Sequence, residues 1–128
     1  MATVNKNRPV NLDLTTIKLP VAAIASITHR IAGIVIFFAL PILLWMLDRS
    51  LASSESFDGL LTTMQNPLFK LMLWGILAAL IYHLLAGIKH LVLDFGWGYS
   101  LEQSAVATKV LIGSAVVLIL LAGVWIWL

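Results

Sequence analysis

Residues 21–47 read VAAIASITHRIAGIVIFFALPILLWML, and this stretch decides the fold. A helix that crosses the hydrocarbon core of a bilayer needs about 20 mostly apolar residues, and this run exceeds that length. Only Ser26, Thr28, His29 and Arg30 interrupt it, and the acid-base pair Asp48 and Arg49 closes it. It reads as a first transmembrane helix. Working outward, residues 67–93 repeat the pattern behind Pro67, a residue whose missing N–H costs least in a first helical turn. Asp94, Gly96 and Gly98 follow as stop signals. Residues 105–128 form a third run, with no ionisable side chain from Val110 onward and with Trp125 and Trp127 at the end, where interfacial aromatics belong. The fold class expected is all-α integral membrane, with three transmembrane helices contributing to a larger helical bundle.

Composition supports a lipid solvent. Of 128 residues, 61% are hydrophobic and 11% charged, well away from the balance of a water-soluble domain. Three crossings leave no room for a soluble catalytic domain. The absence of cysteine removes disulfides, iron–sulfur ligation and thiol nucleophiles from this polypeptide, so metal chemistry must rest on histidine or carboxylates. The eight Lys and Arg are scattered along the chain and flank apolar runs, which argues for membrane orientation and against nucleic acid.

Residues 1–20 form a cytoplasmic or interfacial N-terminal arm, bounded by Pro9 and Pro20, whose Leu12, Leu14, Ile17 and Leu19 can face a membrane or partner. No cleavage site follows the first apolar run, so nothing resembles a removable signal. Residues 50–66, rich in Ser with Asp58 and Gly59, read as an external loop. Lys6, Arg8, Lys18 and Arg30 precede or enter the first span, and Lys89 and Lys109 flank the second loop. By the positive-inside rule the N-terminus is cytoplasmic and the C-terminus outside.

Polar groups inside a span are expensive and therefore informative. Ser26, His29, Arg30 and Gly33 share one helix face, and Gly75, Ala79, His83 and Gly87 share another, which His90 continues. With a rise of about 1.5 Å per residue, Arg30 lies roughly 14 Å from the cytoplasmic end of its span and His83 roughly 16 Å from the same side. Antiparallel spans thus bring Ser26, His29, Arg30, His83 and His90 into one half of the bilayer. His83 is the best cofactor ligand, because imidazole binds iron and small neighbours leave room for a flat macrocycle. His90 lies about 10 Å further along the axis, too far to share one iron with it. A second axial histidine must come from His29 or from another chain, and Arg30, Lys89 and His90 are positioned to pair with propionates.

Other readings fit the same residues. Buried histidines also join helices by hydrogen bonds, small residues at fourfold spacing mark plain packing, and Arg30 can snorkel to the headgroups. A proton or ion pathway through His29, Arg30 and His83 is a further reading, against which the first and third spans lack a polar stripe reaching the far side.

Arg8-Pro9, Ser26, His29-Arg30, and His83 followed by Gly87, Ile88, Lys89, His90 and Asp94 resemble, in order and spacing, the cytochrome b membrane-anchor subunit of succinate dehydrogenase. The resemblance covers the arm, two spans and the start of the second loop. It implies complex II, a succinate:quinone oxidoreductase of the bacterial inner membrane, in which a flavoprotein subunit and an iron–sulfur subunit are held by two small membrane anchors that share haem b. On that resemblance His83 is an axial ligand, with the other supplied by the partner anchor. Ser26 and Arg30 are quinone-site residues for ubiquinone or menaquinone. His29, Arg30, Lys89 and His90 surround the haem propionates, and Asp94 is a supporting acid. The chain alone is then no enzyme. The alternative is a haem-free structural anchor. Two positions depart from the family pattern: Ala32 stands where a hydroxyl residue is usual, and Lys89 where an arginine is.

Overall fold

The computed structural model describes residues 12–128, so Lys6 and the Arg8-Pro9 pair lie outside the described residues. Four helices follow one another: α1 (Val21–Ala52), α2 (Ser54–Met64), α3 (Pro67–Asp94) and α4 (Leu101–Trp127). Of these, α1, α3 and α4 are long and apolar enough to cross a membrane. No strand occurs among the described residues. The protein is an all-α membrane protein.

Ahead of α1, Asp13 organises a short turn by accepting the N–H and hydroxyl of Thr15 at 3.0 and 2.6 Å. These bonds favour the carboxylate and hold its pKa below the usual range. Extended Pro20 then starts α1 without a side-chain cap. At 32 residues α1 is about 48 Å long, more than the roughly 30 Å hydrocarbon core requires, so its polar last turns, with Asp48, Arg49 and Ser50, extend past the apolar part.

The segment expected to be an open loop instead folds as α2. Ser53 accepts the N–H of Ser56 at 3.0 Å and Glu55 sits in the first turn, so the serines act as helix-starting residues where turn-forming ones were expected. Leu60 is buried, and α2 packs on α1. Asn66 then caps α3 by accepting the N–H groups of Leu68 and Phe69, with Pro67 at the first helical position.

At the other end of α3, the N–H of Gly96 reaches the Leu93 carbonyl at 2.9 Å and that of Trp97 reaches Val92 at 3.3 Å. Gly96 adopts a φ of 89°, the left-handed conformation that this pair of closing bonds requires. Ser100 accepts the N–H of Gln103 at 3.1 Å, which starts α4 at Leu101, ahead of the expected Ala105.

α3 is the central helix, packed on both α1 and α4, while α1 and α4 touch less. The α1 seam is built from small residues: Ala25, Ala32 and Ala39 recur every seventh position and are 4%, 7% and 4% exposed. Large side chains point outward instead, as Phe37 and Phe38 do at 69% and 70%. This is the packing expected where lipid is as apolar as leucine and helices associate by close backbone approach.

Candidate functional site

His29 and Gly33 stand one turn apart on α1, facing His83, Gly87 and His90 on α3. The antiparallel crossing matches their depths closely enough for direct contact. The rings of His29 and His83 stack with centroids 4.1 Å apart and planes inclined by 23°. On its other side the His29 ring meets His90 at 5.2 Å, tilted by 38°. His29 is therefore the middle member of a column of three imidazoles.

The tautomer of His83 follows from its partner. Its Nδ1 lies 3.1 Å from the carbonyl oxygen of His29, and a carbonyl can only accept, so Nδ1 carries the proton. Nε2 is left with its lone pair. A histidine that donates one ring N–H to a backbone carbonyl and offers the other nitrogen has the arrangement found in metal-bound imidazoles. Two near-parallel rings 4.1 Å apart leave no space for a flat macrocycle between them.

Of the glycines in the two stripes, Gly33 is the one that makes room for a ring, while Gly87 stands at ordinary contact distance from another. A Cβ on Gly33 would lie 3.1 Å from Cε1 of His83, and one on Gly87 would lie 3.9 Å from Nε2 of His29. That Nε2 is itself buried and finds no hydrogen-bond partner among the described residues. A buried ring nitrogen without a partner costs roughly 1–3 kcal/mol, which an incoming hydrogen-bonding group would relieve. Among the described residues no group of three or more His, Cys, Asp and Glu could hold a bare metal ion. A group that took a single ligand from this chain, as a haem shared with another subunit would, finds in the His83 Nε2 lone pair and the nearby partnerless His29 Nε2 residues that fit it.

Ser26 is half-buried on the face of α1 that bears His29, and Arg30 is exposed beside it. Neither forms a side-chain hydrogen bond or ion pair with another described residue. Asp94 is exposed at the last residue of α3. Lys89 is set apart. At 100° per residue it lies about 120° around α3 from His83, and it lines a groove of about 400 Å³ between α3 and α4 with Leu85, Val92, Trp97 and Leu111. Ala32 is buried in the α1 seam, so the missing family hydroxyl falls at a packed position.

Sequence reasoning overlooked the neighbouring clasp. The Tyr82 hydroxyl lies 2.6 Å from Thr28 Oγ1 and 3.2 Å from the Ala25 carbonyl oxygen, tying α3 to α1 one residue before His83. The available signal was a tyrosine and a threonine within apolar runs, both needing partners there.

A family model for the succinate dehydrogenase/fumarate reductase transmembrane subunit matches residues 4–122. The chain belongs to this family. Within the succinate dehydrogenase/fumarate reductase anchors it is similar to the succinate dehydrogenase cytochrome b556 subunit of Coxiella burnetii, at 43% identity over 96% of this chain and 99% of that one. The cytochrome b556 subunit of Paracoccus denitrificans is 38% identical over 94% of each chain. A cytochrome b560 subunit of Reclinomonas americana is 34% identical over 95% of this chain and 87% of its own. In this chain the histidine column is a polar cluster within an otherwise apolar bundle.

Proposed function

We propose that the chain is the cytochrome b membrane anchor of a succinate:quinone oxidoreductase in a bacterial inner membrane. It shares haem b with a second small anchor and helps form the site where ubiquinone or menaquinone is reduced. Family membership supports the assembly, with its flavoprotein and iron–sulfur subunits. The observation that supports the haem assignment is the 3.1 Å contact between His83 Nδ1 and the His29 carbonyl, which leaves the Nε2 lone pair of His83 available to an iron. A second ligand would come from the partner anchor, and the His29 Nε2, with Arg30 and His90, would hold the propionates. Lys89 joins them only by reaching around α3, and Asp94 supports proton supply at the cytoplasmic surface.

When bound, the haem supplies a one-electron carrier beside the quinone site. The remaining chemistry belongs to side chains. Ser26 donates a hydrogen bond to a quinone carbonyl, and Arg30 stabilises the negative charge that builds on its oxygen during reduction. Low dielectric strengthens both effects. Removing one such donor costs on the order of 100-fold in rate.

His83→Ala is therefore expected to alter or abolish the b-type reduced-minus-oxidised spectrum of the purified complex. An unchanged spectrum would remove His83 from the iron. Ser26→Ala and Arg30→Leu should each lower quinone reduction by ten- to a hundred-fold while sparing succinate oxidation by an artificial acceptor. Equal loss of both activities would contradict a quinone-site role. A colourless complex would return the histidines to the haem-free reading, in which the stack only joins α1 to α3.

A further inference from the structure

Glycine is disfavoured inside helices, so each one needs a local reason. Gly75 and Gly113 have nothing within 4 Å of where a Cβ would stand. Gly33 differs: its absent Cβ would lie 3.1 Å from Cε1 and 3.5 Å from Nδ1 of His83. The imidazole thus rests edge-on against the bare α1 backbone. The same ring is held by two further contacts, the Nδ1 bond to the His29 carbonyl and the stack on the His29 ring.

We propose that Gly33 is a positioning residue for His83, forming with the His29 carbonyl and ring a seat that fixes the direction of His83 Nε2. Carbon Cε1 is bonded to both ring nitrogens, so a methyl group pressing on it tilts the ring and swings Nε2 with it. Moving α1 away to relieve that pressure stretches the Nδ1 bond. The ring cannot slip sideways without leaving the stack. A single missing methyl group therefore sets the plane of the imidazole presented to the iron. This inference rests on the reading of His83 as an axial haem ligand.

The test uses the intact complex in membranes, with Gly33→Ala compared against Gly113→Ala and against His83→Ala. Read-outs are the haem α-band, the low-spin electron paramagnetic resonance signal and the haem midpoint potential. The flavoprotein and iron–sulfur subunits are quantified alongside. A shift in the haem signals with Gly33→Ala, absent with Gly113→Ala, is the expected result. Loss of haem from a complex that keeps its soluble subunits would also support the seat. Haem signals identical to the unsubstituted complex would overturn it, and so would loss of the whole complex, which would assign the glycine to helix packing. If His83→Ala leaves the spectrum unchanged, the ligand reading itself fails, a result separate from any obtained with Gly33→Ala.

Discussion

At the scale of single residues, the polar groups of the bundle are linked across helices. The Tyr82 hydroxyl bridges to Thr28 and to the Ala25 carbonyl, and interhelical bonds in membranes contribute about 1 kcal/mol. Tyr82→Phe is expected to lower stability by about that amount in a detergent-unfolding titration, and Thr28→Ala to add little on top of it, because both remove the same bond. Fully additive losses would show that the two hydroxyls act separately. The histidine site was partly legible from residue spacing. His29 with Gly33, and His83 with Gly87 and His90, fall on single faces at helical periods, and the similar depths of His29 and His83 follow from the rise per residue. Helical period fixes which residues share a face, but not how far each helix is turned toward its neighbour. That rotation puts His29 between two imidazoles and carries Lys89 round to the α4 side.

Among the elements, α3 and α4 are joined by an aromatic lock near the far end of the bundle. Trp74 Nε1 donates to the Ile119 carbonyl at 2.8 Å, and its ring lies over Gly123, where a Cβ would come within 2.9 Å. Gly123→Ala is expected to overpack this contact and cost about 1–3 kcal/mol in the same titration. Adding Trp74→Phe should recover part of the loss, because the smaller ring clears the new methyl group. Failure of the second substitution to compensate would place the strain elsewhere. The three long helices were legible because nothing but lipid tolerates such uninterrupted apolar runs. Helix α2 was not, because Ser and Glu serve both turns and helix starts, and only the hydrogen bond from Ser56 N–H to Ser53 distinguishes them.

For the whole molecule, three crossings place the two ends of the chain on opposite sides of the membrane. Lys18 and Arg30 at the start of α1, with Lys89 and Lys109 around the α3–α4 turn, favour the side that retains positive charge. A periplasm-dependent reporter fused after Leu128 should be active, and one inserted in the α3–α4 turn inactive; the reverse pattern would invert the topology. With that topology Asp94, Lys89 and His90 would lie at the cytoplasmic end of the bundle.

The alanine row on α1 has one more consequence. In a water-soluble domain, trimming a large hydrophobic side chain is the damaging substitution, since burial supplies the stability. Here Phe37 and Phe38 face outward while Ala25, Ala32 and Ala39 face the seam. Mutational tolerance along this seam is thereby turned inside out: the two large outward phenylalanines are free to shrink, and the small alanines are the ones that cannot grow.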